Sequence, residues 1–291
     1  MDHTAILTNP SEAELAAAVE ENLFALFRAM TTLPGSEIVE AEEYSYHHTP
    51  PINPMFKGVW RTRLSESEVD SAIDDMVKWF GDHNAPFFFW WTGPGTTPPD
   101  LDKRLIARGF SSMVELQKEL TPGIISTEAG APGMVADLHQ MNEAVIQQVP
   151  DGFTIEEVQN EASLIDFKNV LVAGYEIPEP VAHAWVDAAL LAGIGQTPWK
   201  MYVGRLNGEA VATNMILNGG GVSGVYAVAT IPAARGKGIG AAITLQPLLA
   251  ARDAGYNHAV LFATEMGISV YERIGFRLCD VRLNRFLWRS I

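Results

Sequence analysis

Two stretches of this chain close on one local signature, and the elements leading to each recur in the same order. Arg108-Gly109-Phe110 ends the first series and Ile274-Gly275-Phe276 ends the second. The first reads as a strand at 58–64, a helix at 65–80, a strand at 86–92, a short helix and a strand at 112–120. The second reads as a strand at 222–231, a helix at 239–254, a strand at 259–263, a short helix at 268–274 and a strand region to about 288. Alternation marks the strands, and apolar residues three and four apart mark the helices. Element order repeats here with little residue identity, and a duplicated α/β (α+β) domain is the simplest source of it. A length of 291 residues holds two domains at about 150 residues each. The expected boundaries are 1–125 for the first copy, 126–151 for a connecting segment rich in Gly and Pro, and 152–291 for the second copy.

Other elements complete this outline. Leu15, Val19, Leu23, Leu26 and Phe27 give residues 12–30 an apolar stripe, with Glu12, Glu14, Glu20 and Glu21 off it. A helix is expected at 135–148, a strand at 153–158, and helices at 162–174 and 179–192. Asn207-Gly208 between two alternating runs marks a hairpin. Phe87 to Trp91 alternate across both faces of a strand. They read as core, the other reading being that Trp90 or Trp91 lines a groove between the copies.

Composition narrows the function classes. Twenty Lys and Arg against 35 Asp and Glu give a net charge of −15. Such a chain repels phosphate backbones overall, and no basic patch offsets this, so nucleic acid is not an expected partner. No run approaches 18 apolar residues, so no membrane span is expected. A single cysteine, Cys279, rules out an internal disulfide framework and a Cys-rich zinc site. Met1-Asp2-His3-Thr4 lacks the basic-then-apolar order of a secretory signal. The expected location is cytoplasmic.

The segment Arg235-Gly236-Lys237-Gly238-Ile239-Gly240-Ala241 lies between a predicted strand and a predicted helix. Glycines at alternate positions let the backbone bend and approach a ligand closely. The helix start then offers free amides to phosphate groups, with Arg235 and Lys237 adding positive charge. The other reading is a glycine-rich helix start that binds nothing. The spacing is neither that of a P-loop nor that of a dinucleotide fingerprint.

This segment resembles the pyrophosphate loop of the GCN5-related N-acetyltransferases, whose pattern Arg/Gln-x-x-Gly-x-Gly/Ala is met by Arg235, Gly238 and Gly240. Tyr271-Glu272-Arg273-Ile274-Gly275-Phe276 resembles the same family's Tyr-x-x-x-Gly-Phe segment. The strong resemblance covers about 198–291 and a weaker one reaches back to 152. The first copy has Ser65-Glu66-Ser67-Glu68 where the loop would be, and its acids would repel a pyrophosphate. The resemblance implies two tandem acyl-CoA N-acyltransferase-like domains, each a mixed, mostly antiparallel sheet flanked by helices. It also implies acetyl-CoA as co-substrate, bound once per chain. Val228, Ala229 and Thr230 would contact its pantetheine arm, and Gly236 to Ala241 would wrap its pyrophosphate. An amine acceptor, small molecule or peptide, would attack directly, with Tyr271 as general acid on the departing sulfur. A non-catalytic acyl-CoA binder or regulatory module is the competing reading. The acidic composition favours a cationic amine. Glu265 and Tyr226 are candidate bases, each with an ordinary structural reading. His183 reads as a surface or packing residue and His47-His48 as a loop pair, and no metal is expected.

Overall fold

The computed structural model describes residues 5–120 and 130–290. Helix α1 (Glu12–Met30) is closed at its start by a capping box, Ser11 with Glu14, and buries the predicted stripe. The first half continues with β1 (Glu37–Glu40), β2 (Ser45–His48), β3 (Lys57–Trp60), α2 (Val69–Asp82), β4 (Phe87–Thr92), α3 (Leu101–Ala107), β5 (Ser111–Ser112) and α4 (Met113–Leu120). The second comprises β6 (Ala131–Asp137), β7 (Phe153–Glu157), α5 (Glu161–Tyr175), α6 (Glu179–Ala192), β8 (Lys200–Leu206), β9 (Glu209–Gly219), β10 (Val222–Thr230), α7 (Ile239–Asp253), β11 (His258–Phe262), α8 (Glu265–Ile274) and β12 (Arg277–Arg289).

The strands form one continuous sheet in the order β1-β2-β3-β4-β12-β6-β11-β10-β9-β8-β7. Adjacent strands are antiparallel except β3 with β4 and β10 with β11. Those two parallel pairs sit at corresponding places in the repeat. Strand β12 joins the halves, because residues 277–283 pair with β6 while 284–289 pair with β4.

Several expected elements differ. The strand expected at 112–120 is only the two-residue β5, followed by α4. Met113 and Leu116, three apart, pack on the core as helix positions, and β12 takes the place beside β4 that a longer strand would need. Residues 121–125 of that copy lie outside the described residues. The helix expected at 135–148 is instead the end of β6 and a short 3-10 helix, Glu143–Gln148. Strand β6 lies between β11 and β12, so its residues are buried on both faces and show no alternation to read. The strand expected at 58–64 stops at Trp60, because Arg61 turns to φ 53°. Ser65 donates from its N–H and Oγ to the Glu68 carboxylate within a turn, and α2 begins after it.

Helix α1 wedges between the halves. Its Phe27 ring stacks on His47 and leans on Trp60 and Trp91 of the first half. Earlier on the same helix, the wholly buried Asn22 donates to the carbonyls of Leu217 and Gly219 of the second. One apolar cluster therefore runs through both halves, from Trp60 and Trp91 to Met215 and Ala229. Fully burying one such aromatic side chain contributes about 1.5–3 kcal/mol. A second cluster, with Phe88, Trp90 and Phe110, packs α2 and α3 on the outer face of the first half. The aromatic strand is thus core on both sides.

Helix α7 contains Pro247, which has no N–H to offer the Ile243 carbonyl four residues earlier. Asn214 on β9 fills the vacancy, its Nδ2 donating to Ile243 O at 2.8 Å.

Candidate functional site

The parallel pairing of β10 with β11 ends at Val225 opposite Leu261. Past that point Ala227 takes φ 50° and the β9–β10 register slips between Tyr226 and Ala229. A bulge of this kind bends a strand and ends its pairing on one side. Residues 227–230 consequently diverge from β11, leaving an edge that an extended ligand could pair with. Val228, Ala229 and Thr230 lie on it.

The chain then enters the glycine segment. Gly236 and Gly238 take φ of 74° and 78°, the left-handed region where a side chain strains the backbone. A Cβ at Gly236 would meet nothing within 4 Å, so the space there is open, whereas one at Gly238 would meet Gln148 O at 3.1 Å. Helix α7 follows with Gly238 as its N-cap and no side chain capping its first amides. Those orphan donors, at Ile239, Gly240 and Ala241, suit a phosphate. The cradle therefore fits a pyrophosphate in shape and in donor chemistry.

The two cations have different surroundings. Arg235 is half-buried and donates to Gly174 O at 2.8 Å and Thr230 O at 3.1 Å. It ties the end of α5 to the end of β10, and so shapes the groove. Lys237 is exposed, with Nζ on Ala233 O at 3.0 Å.

Tyr271 lies on α8, its ring edge-on to Phe276 at 6.0 Å. Among the described residues its hydroxyl has no hydrogen-bond partner. Burial pushes its pKa well above the ordinary tyrosine value, and nearby Tyr175 adds to the rise. A phenol so placed stays protonated at neutral pH and can donate. Tyr175, the last residue of α5, is itself pushed up to about 12 by burial while 36% exposed.

The candidate bases fare unequally. Tyr226 donates to Asn22 Oδ1 at 2.6 Å, and burial raises its pKa steeply, which removes it as a base at neutral pH. Glu265 is exposed in the first turn of α8, where an acid complements the helix end. His183 is exposed beside Asp187 at 3.6 Å. His47 is wholly buried, and among the described residues no group of three His, Cys, Asp or Glu converges on a metal position. No described helix is long and apolar enough to cross a membrane.

Two charged residues of the interior escape sequence reasoning. Glu20 sits beneath the Gly93–Gly95 turn, where a Cβ on Gly93 would overlap its carboxylate. Burial raises its pKa, offset in part by Arg63. Arg285 on β12 lies against Phe89 and Trp91. Glu20 looks like one more polar-face glutamate of α1, and Arg285 like a strand-end cation, until the two halves are folded together.

Comparison with known proteins agrees with this geometry. Residues 164–276 match the model of the Acetyltransferase (GNAT) family. A GCN5-related N-acetyltransferase from Kribbella flavida is similar over 98% of both chains, at 16% identity and TM-score 0.66. A functionally unknown conserved protein from Staphylococcus epidermidis is similar over 88% of this chain and 95% of its own, at 12% identity and TM-score 0.62. A tandem GNAT protein from the clavulanic acid biosynthesis pathway is similar over 96% of this chain and 93% of its own, at 11% identity and TM-score 0.55. At these identities the likeness is one of fold, and it extends over nearly the whole chain. No curated protein sequence matches.

Proposed function

We propose that this chain, whose residues 164–276 match the model of the Acetyltransferase (GNAT) family, moves an acetyl group from acetyl-CoA to an amine. The observation carrying this reading is the split between β10 and β11, with the open glycine cradle at its mouth. Acetyl-CoA supplies the activated thioester. Val228, Ala229 and Thr230 pair with the pantetheine arm along the free edge of β10. The amides of Gly236 to Ala241 hold the pyrophosphate, Lys237 adds charge from the surface, and Arg235 fixes the groove between Gly174 and Thr230.

In the transfer, the amine nitrogen bonds to the thioester carbon and the carbon–sulfur bond breaks. A backbone amide at 228–230 stabilises the charge developing on the carbonyl oxygen. Tyr271 gives its proton to the leaving sulfur, and the proton lost by the attacking nitrogen passes to water, from which the tyrosine is reprotonated. Its hydroxyl, without a hydrogen-bond partner among the described residues, favours transfer over simple acyl-CoA binding, and burial keeps that hydroxyl protonated. Domain boundaries at 126 and 151 remain part of this reading, with the second copy alone binding the co-substrate.

The test is calorimetry with acetyl-CoA on the wild type and Gly240→Asp. A Cβ at Gly240 makes only ordinary contacts, 3.5 Å to Thr230 Oγ1 and 3.9 Å to Val270 Cγ1. An acid in the first turn is favourable to the helix by about 0.3–1 kcal/mol. The variant should therefore fold as well as the wild type while repelling the pyrophosphate. One site per wild-type chain and at least a roughly tenfold weaker one in the variant, about 1.4 kcal/mol, are expected. Equal affinity in a folded Gly240→Asp protein, or two equivalent sites per chain, would refute the assignment.

A further inference from the structure

Among the described residues, none accepts a hydrogen bond from Arg285. Strand β12 places it opposite Trp91, and Leu287 opposite Phe89. Strand residues alternate between faces, so Leu283, Arg285 and Leu287 share one face with Phe89 and Trp91. Phe286 points the other way, into the outer core of the first half. Leu283, Leu287, Phe89 and Trp91 belong to the apolar cluster that also contains Ala229, with Tyr226, Ala227 and Phe262 packed against it. Arg285 thus faces the layer between the two half-sheets, and so does the bulged end of β10.

In that layer the guanidinium carbon lies 5.5 Å from the Trp91 ring centre and 5.7 Å from that of Phe89. Among the described residues no carboxylate, carbonyl or hydroxyl accepts from its N–H groups. Burial lowers its pKa, and no carboxylate counters the shift. Elsewhere the acids of this chain are used freely. Arg28 and Arg61 share Glu21, Arg205 holds Glu156 and Asp166, and Arg252 holds Glu143. A half-buried guanidinium with its donors unused, in a chain of net charge −15, is therefore unusual.

We propose that Arg285 anchors an anionic group of the acceptor, so that the amine substrate also carries a carboxylate or a phosphate. Stacking on two aromatic rings immobilises the guanidinium and presents its N–H edge to such a group. A carboxylate or phosphate oxygen pair can take that edge in a bidentate bond. The apolar walls strengthen the attraction relative to water. This narrows the composition-based expectation of a cationic amine to one that is zwitterionic, and it rests on the acetyl-transfer reading above.

The experiment titrates wild type, Arg285→Gln and Arg285→Lys with three series of probes in the presence of acetyl-CoA. The probes are ω-amino carboxylates, the matching aminoalkyl phosphates and the neutral amino alcohols, each of graded chain length. At least one anionic series should bind the wild type roughly tenfold or more tightly than the neutral one. The better of the two identifies the anion. Arg285→Gln should level that preference and Arg285→Lys should keep part of it, with thermal midpoints confirming folded variants. No preference in the wild type, or one that survives Arg285→Gln, overturns the proposal. Acetyl-CoA is titrated separately into each protein. Its failure to bind the wild type would refute the acetyl-transfer reading, whereas intact acetyl-CoA binding without anion preference would refute only the role of Arg285.

Discussion

The link between Asn214 and Pro247 can be tested by a double-mutant cycle. Asn214→Leu keeps the branching and heavy-atom count of the side chain but removes the Nδ2 donor that reaches Ile243 O at 2.8 Å. That carbonyl is then buried without a partner, a loss of about 1–3 kcal/mol. Part of this returns, because Asn214 Oδ1 is itself buried without a partner and disappears with the substitution. The single variant therefore mixes two opposed effects. Pro247→Ala separates them, since residue 247 regains an N–H and can close the helical bond to Ile243. In that background Asn214→Leu should cost less, by a coupling of about 1–2 kcal/mol. Urea denaturation of the four proteins gives the coupling directly, and thermal midpoints should follow at about 2–4 °C per kcal/mol. Additivity within about 0.4 kcal/mol would show that Asn214 does not compensate for the proline.

Tyr271→Phe should leave acetyl-CoA affinity nearly unchanged, because the edge contact with Phe276 needs only the ring. Single-turnover transfer should slow roughly 10²–10⁴-fold, and an undiminished rate would remove Tyr271 from proton transfer. His47 is held neutral, its pKa lowered to about 3 by burial and, to a lesser extent, by Lys57 and His48. Between pH 6.5 and 3 the unfolded chain thus binds a proton there that the native chain refuses. The contribution of His47 is complete above pH 6.5 and is lost as pH falls, at up to about 1.4 kcal/mol per pH unit. His48, lowered to about 4, acts in the same direction. Denaturant titrations of His47→Phe between pH 4 and 6.5 should show a shallower slope than wild type. An unchanged slope would mean that His47 titrates normally in the fold.

Local signals were legible where neighbouring residues decide the outcome. The capping box and periodicity of α1, the Asn207-Gly208 turn at φ 52° and 87°, and the left-handed Gly109 and Gly275 all follow from short-range chemistry. The glycine loop was legible for the same reason. Strand β6 was not, because its neighbours β11 and β12 come from residues more than a hundred positions away. Helix α4 hid behind the expectation that each copy supplies its own last strand, whereas β12 serves both. Glu20 and Arg285 sit in a layer created only when the two half-sheets close around α1. Their burial is a property of the assembled chain and has no counterpart in spacing or composition.

The two copies also show why one of them keeps the groove. Gly58 pairs in parallel with Phe89 and Val59 with Trp90, as Gly224 pairs with Val260 and Val225 with Leu261. Two residues past each pair the backbone turns left-handed, at Arg61 and at Ala227. The first copy therefore has a left-handed turn at the corresponding place, where β3 ends. It fills the space past that turn with its own chain, since Thr97 N–H reaches Thr62 O and Leu64 N–H reaches Thr97 O. Trp90 seals this closure through a bond to Thr62 Oγ1 at 2.9 Å. Glu68 stands as N-cap of α2 where Gly238 stands before α7, so an acid replaces the open cradle. A copy closed in this way offers no edge to an extended ligand. What it does offer is the face bearing Phe89 and Trp91, held rigid by the strand it shares with the second copy. On the proposed reading the first half is the wall opposite the open one, and Arg285 over Phe89 and Trp91 makes that wall selective.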